Sequence, residues 1–219
     1  QVGKGTKPSF PPKTTSFQEW ALQLSAYATS ETLAAEHSYW LDPVRSHVGR
    51  FPVDQGTQSQ SRQSSFIRKL SLSREDTLRL IQNVPIDQGI TVQTVLVAAL
   101  ALTLSRWSGL SRILIDLEGH GREELAGASI NLARTVGWFT SCYPAIIELE
   151  GMLDHPADAL QSVARQIAAI PNKGIGYGVL RYLSTDAHLR DALAALPAAE
   201  VAFNYTGLGG RGEGRQVTA

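Results

Sequence analysis

From Thr91 to Trp107 the sequence is apolar nearly all round, Gly109 supplies a stop, and Arg112-Ile-Leu-Ile-Asp-Leu117 follows as a short continuous β-like run. A helix without a polar face has to be buried, and a strand without alternation suits a sheet covered on both sides. The two together demand a layered core of helix and sheet, so the pattern predicts an α/β protein with long connections. The longest apolar stretch, Thr94 to Leu104, is interrupted by threonine and falls short of the roughly 18 residues of a membrane span.

The flanking sequence punctuates itself. Ser16 and Glu19 have capping-box spacing, and Trp20, Leu24 and Tyr27 recur at helical intervals. A second helical segment is expected over Glu31–Leu41, ended by Pro43, with a break near Thr29-Ser30. Residues 42–64, rich in Gly, Pro, Gln and Ser, read as an exposed connection. Phe66, Leu70 and Leu72 indicate a strand, and Ser73 with Asp76 caps the helix after it. Gly137–Glu150 is a second β-rich run, Pro156 sits at a helix start, and Glu200–Thr206 is a last strand.

The 219 residues hold 43% hydrophobic and 18% charged residues, with 20 Lys plus Arg against 20 Asp plus Glu, and no basic run follows a phosphate backbone. Neither nucleic acid nor membrane is an expected partner. One cysteine, Cys142, forms no internal disulfide and builds no multi-cysteine zinc site, so the expected setting is a reducing cytoplasm and no metal is expected. The first dozen residues, a Lys/Pro/Gly leader that does not begin with Met, read as a segment cut from something longer. The expected organisation is a linker over 1–15, a folded body over 16–207 and a flexible glycine-rich tail over 208–219.

Most chemical motifs fail on context. Gly207-Leu-Gly-Gly-Arg-Gly212 matches a dinucleotide fingerprint, but too little chain follows it for a phosphate-capping helix or a ribose-binding acid. Cys142 and His120 make a conceivable nucleophile and base, yet Cys142 lies in an apolar run and reads as a core thiol. Trp138 and Phe139 likewise read as core, Arg134 as an anchor for the turn before them, and Gly174, Gly176 and Gly178 as sites of close backbone packing. Glu118-Gly-His-Gly-Arg-Glu123 is different, because it sits at the C-terminal end of the buried strand, where α/β proteins place chemistry. Glu118 is a carboxylate at the edge of an apolar strand, partly withdrawn from water, as a general base requires. The competing reading is a solvated turn of surface charges, and His120 serves either a channel or a loop-fixing hydrogen bond.

Three more segments match in order. With Glu118–Glu123, the runs Arg134-Thr-Val-Gly-Trp-Phe-Thr-Ser-Cys-Tyr-Pro144, Pro171-Asn-Lys-Gly-Ile-Gly-Tyr-Gly178 and Phe203-Asn-Tyr-Thr-Gly207 resemble the successive signature motifs of epimerization domains of nonribosomal peptide synthetases, within the condensation-domain superfamily. The resemblance runs from Pro11 to Gly207. It implies a chloramphenicol-acetyltransferase-like half-domain with a central mixed sheet flanked by helices. It also implies inversion of the α-carbon of an aminoacyl or peptidyl thioester carried on the phosphopantetheine of a carrier protein, with no cofactor bound directly. By the resemblance Glu118 and Tyr205 are catalytic, and His120, Arg122 and Asn204 bind substrate. The family's His-His-x-x-x-Asp-Gly motif does not occur here and Thr206 replaces the family's leucine. The chain is therefore expected to be the C-terminal half of such a domain, inactive alone, with the N-terminal half and a peptidyl carrier protein as partners. The alternatives are a peptide-bond-forming condensation fragment and a noncatalytic carrier-docking module.

Overall fold

The computed structural model describes residues 11–53, 66–84, 89–125 and 129–207. The glycine-rich tail and most of the Gly207–Gly212 run lie outside them. Contacts group the chain into two compact units, one of Gln1–Asp42, Gly119–Tyr143 and Pro171–Leu196, the other of Pro43–Glu118, Pro144–Ile170 and Pro197–Ala219.

In the first unit, Ser16 caps helix α1 (Phe17–Tyr27), its hydroxyl accepting from the Glu19 amide as the capping-box spacing predicts. The expected second helix is broken into α2 (Glu31–Ala34) and α3 (His37–Trp40). The break falls at Glu36, which is buried with its carboxylate accepting from Trp40 Nε1 at 2.8 Å and Tyr27 Oη at 3.4 Å. Burial pushes this carboxyl above its ordinary value, and the two hydrogen bonds hold it partly back. A β-carbon on Gly176 would lie 2.1 Å from the Glu36 carboxylate, so helix α7 (Ile175–Leu183) approaches only because that residue is glycine. Helix α8 (Ala187–Ala195) completes the unit, with Leu189 and Leu193 buried.

The second unit holds α4 (Arg74–Gln82), the long α5 (Val92–Ser108) and α6 (Pro156–Ala168). Thr91 caps α5, and Gly109 ends it in the left-handed conformation with φ 75°. Strands β1 (Arg112–Gly119), β2 (Ser141–Glu148) and β3 (Val201–Phe203) form one mixed sheet in the order β2-β1-β3, flanked by helices. Ile113, Ile115 and Leu117 of β1 are fully buried, as are Ala145 and Ile147 of β2. Alternation leaves Leu114, Asp116 and Glu118 on the opposite face of β1.

Several expectations need correction. Residues 66–72 form no strand: the sheet order gives them no neighbour, and Phe66, Ile67, Leu70 and Leu72 are exposed. The run from Gly137 becomes a strand only at Ser141, and the last strand is limited to Val201–Phe203. Cys142 is exposed rather than a core thiol, because Tyr143, Ala145 and Ile147 take the buried parity of β2. Trp138 is 84% exposed while its neighbour Phe139 is buried. Gly174 and Gly176 do sit at close approaches, but nothing lies within 4 Å of a β-carbon on Gly178. At the end of the 1–15 segment, Thr15 exchanges backbone and side-chain hydrogen bonds with Asn131, and Thr14 Oγ1 meets Thr135 Oγ1 at 2.9 Å.

Candidate functional site

β1 brings Glu118, its penultimate residue, to the same face as Leu114 and Asp116, half-buried, its side chain with no hydrogen bond or ion pair among the described residues. β3 runs parallel to β1 with Ile115, Asp116 and Leu117 opposite Val201, Ala202 and Phe203. Asn204, exposed, and Tyr205, half-buried, follow directly after β3 in the chain. The second unit thus holds three of the five expected site residues, Glu118 at the end of β1 and Asn204 and Tyr205 just after β3. Their chemistry is a carboxyl group without a counter-ion among the described residues, an exposed amide and a phenol.

The same face carries Asp116, two residues before Glu118, which sequence reasoning passed over. Burial pushes its carboxyl above the usual range, and no neighbour among the described residues compensates. Leu114, on this face too, lines a cavity of about 290 Å³ with Val48–Phe51, Pro197, Ala198 and Glu200. Since the folded protein holds the Asp116 proton more tightly than the unfolded chain does, that group stabilises the fold below the ordinary carboxylate value of about 4 and loses this contribution as pH rises through its raised folded value. Asp116→Asn is therefore expected to raise the melting temperature at pH 7. The gain should vanish when melting is repeated below about pH 4; an unchanged or lowered melting point at pH 7 would contradict the assignment.

The first unit carries His120 and Arg122, and there both are occupied. His120 Nδ1 accepts from the Arg122 amide at 3.0 Å, which leaves the Nε2 hydrogen to face Glu123 Oε1 at 3.2 Å. Glu123, buried, also takes Lys173 Nζ at 2.8 Å. Lys173 belongs to a tight turn in which Asn172, Lys173 and Gly174 all have positive φ. Tyr143 lies close by, and burial together with the Glu123 charge pushes its phenol above its ordinary value. The Arg122 guanidinium donates to the carbonyls of Leu132 and Thr135 and lies 4.0 Å over the Phe139 ring. Both side chains thus fix the loop after β1. Glu123 is the anchor of that arrangement, and the only advance sign of it was its helix-like spacing of three from His120. Arg134 donates to the Pro12 carbonyl, in keeping with an anchoring role. Among the described residues no three His, Cys, Asp or Glu side chains converge to hold a metal ion, and no helix is long and apolar enough to cross a membrane.

The sequence profile described as Condensation domain matches residues 1–216. The chain belongs to the condensation-domain family. It is 42% identical over 211 residues to one of the proteins that make up the linear gramicidin synthase of Brevibacillus parabrevis, covering 94% of this chain and 4% of that protein. It is 35% identical over 201 residues to gramicidin S synthase 1 of Brevibacillus brevis, covering 91% of this chain and 18% of that one. Among solved structures, the epimerization domain from the third module of tyrocidine synthetase B superposes with TM-score 0.81 at 32% identity, over 94% of this chain and 45% of that one. A cyclization-docking bidomain from Sorangium cellulosum, at TM-score 0.60 and 19% identity, shares the fold. The condensation-family chain thus spans less than half of the solved epimerization domain it resembles and a small fraction of either synthetase.

Proposed function

We propose that this condensation-family chain is the C-terminal half of a peptide-synthetase epimerization domain and that Glu118 is one of its two acid/base groups. The observation that carries the reading is the half-buried Glu118 carboxylate at the end of β1, without a partner among the described residues. The order of the four motifs and the likeness to a solved epimerization domain support it.

In this mechanism a carrier protein delivers an aminoacyl or peptidyl thioester on its phosphopantetheine arm. Glu118 takes the α-proton: the C–H bond breaks, its electron pair moves onto the thioester carbonyl oxygen, and the carboxyl group holds the proton. A protonated histidine of the N-terminal half gives its proton to the α-carbon on the opposite face as the enolate electron pair returns to carbon, and exchange with water then takes the proton from Glu118 and reprotonates the histidine, restoring both groups. Tyr205 donates a hydrogen bond to the enolate oxygen, and Asn204, exposed just after β3, holds the substrate amide. His120 and Arg122 act here as supports of the loop.

Tyr205→Phe removes one such donor and leaves the proton path intact. Turnover of the assembled domain is expected to fall roughly 100-fold, the usual loss for one oxyanion-type hydrogen bond. Steady-state inversion assays check this, and unchanged turnover would leave Tyr205 a packing residue. The family profile itself favours a second reading, peptide-bond formation. Supplying donor and acceptor carriers to the assembled domain separates the two: a new amide bond would establish condensation, and a mixture of D and L residues on one carrier would establish epimerization.

A further inference from the structure

Two successive residues with side chains, Asn172 at φ 40° and Lys173 at φ 51°, hold left-handed backbone ahead of Gly174 at φ 81° in the first unit. Asparagine enters this region readily, so the cost falls mainly on Lys173. Such a conformation persists only where surrounding contacts hold it. Here Lys173 Nζ donates to Glu123 Oε2 at 2.8 Å, and Asn172 Nδ2 donates to Tyr27 Oη at 3.4 Å.

The turn closes over two hydroxyl groups. A β-carbon on Gly174 would collide with the Tyr143 ring. One on Gly119 would lie 2.9 Å from Ser141 Oγ, 3.8 Å from the Tyr143 ring and 4.0 Å from the Lys173 carbonyl oxygen. Glycine at both positions thus lets the turn settle directly against the start of β2. Ser141 Oγ is buried there without a hydrogen-bond partner. The Tyr143 hydroxyl, on a residue 6% exposed, makes no hydrogen bond among the described residues. A buried hydroxyl left unpaired has lost its hydration and gained nothing in return. The closed turn is therefore opposed twice, by its own backbone and by the groups it covers.

We propose that the Pro171–Gly174 turn is a latch, held shut over Ser141 and Tyr143 by the Lys173–Glu123 ion pair, whose release relaxes the left-handed backbone and admits water to both hydroxyls. The Lys173 side chain is exposed and the Glu123 side chain buried, so ionic strength acts on the latch from the solvent side. His120 Nε2, 3.2 Å from Glu123 Oε1, is the partner that keeps the carboxylate paired once Lys173 lets go. The latch belongs to the fold of the first unit and holds whichever reaction the domain performs.

Ser141→Cys in a Cys142→Ser background reads the open state through the rate at which a small thiol reagent labels position 141. Lys173→Met should raise that rate about tenfold, between the small worth of an exposed ion pair and the larger cost of a buried carboxylate that loses a partner. Added salt at about 1 M should speed labelling several-fold while Lys173 is present and leave the Lys173→Met rate unchanged. Lys173→Ala should label several-fold faster than Lys173→Gly, since both lack the ammonium group and differ in the left-handed cost. Ser141→Ala, which removes the unpaired hydroxyl, should raise the melting temperature by about 2 °C or more. Amide hydrogen exchange across residues 172–176 of the unsubstituted chain, accelerated several-fold by the same salt, is the second readout should the cysteine variant fail to fold. Labelling or exchange that ignores both salt and Lys173→Met overturns the latch. A lowered melting point in Ser141→Ala overturns it too, because the hydroxyl would then be satisfied in the closed state. Equal rates for the alanine and glycine variants do the same by showing a turn without strain.

Discussion

Glu118→Gln in the assembled domain is expected to lower inversion by roughly four orders of magnitude, the upper end of what a positioned acid/base group contributes. The amide keeps the shape and polarity of the side chain and loses only its proton-accepting oxygen. Because the Glu118 side chain has no hydrogen bond or ion pair among the described residues, the substitution breaks none there, and stability should move by less than about 0.5 kcal/mol. Chiral analysis of the product released from the carrier reads the effect. A parental rate in the variant would remove Glu118 from the chemistry, and a large fall in stability would make the loss of activity a folding effect.

The largest structural effect is expected at Gly121. Its φ is 66°, and a β-carbon would stand 1.5 Å from the Phe139 carbonyl oxygen and 2.5 Å from its carbonyl carbon. Backbone atoms cannot rotate away as a side-chain tip can, so the loop that follows Glu118 must move bodily. Gly121→Ala should cost about 3–5 kcal/mol, combining left-handed strain with overpacking, which is a large share of a domain's usual stability. Gly178→Ala provides the contrast. That residue lies inside α7 with nothing within 4 Å of a β-carbon, so alanine should leave stability equal or raise it by up to about 1 kcal/mol. Denaturant unfolding of both variants checks the pair, and equal stabilities would mean the loop accommodates the added methyl.

What the sequence discloses depends on how local each cause is. The Ser16 and Ser73 caps and the Gly109 stop are set within four residues, and each stands where the sequence places it. The β1 run is legible because Ile113, Ile115 and Leu117 are buried regardless of what covers them. The split at Glu36 is not, because it answers to Tyr27, Trp40 and Gly176, residues brought together only by the folded chain. Residues 66–72 have the composition of a strand, but a strand exists only where another offers hydrogen bonds. Phe139 and Trp138 are adjacent and equally apolar, and their opposite fates are decided by Phe17, Trp20 and Arg122 packing on one of them. At the site, the motif fixed attention on Glu118–Glu123 without sorting its members. Hydrogen-bond geometry distinguishes them: His120, Arg122 and Glu123 make contacts that hold the loop, and the Glu118 side chain makes none among the described residues.

The two-group mechanism is tested most directly by deuterium exchange at the substrate α-carbon, measured with a loaded carrier protein in deuterated water. For this chain by itself the account predicts no inversion, because the second acid/base group of the proposed mechanism, which returns the proton on the opposite face, belongs to the other half. Joined to that half, it should show exchange and inversion together. Full inversion by this chain alone would contradict the account.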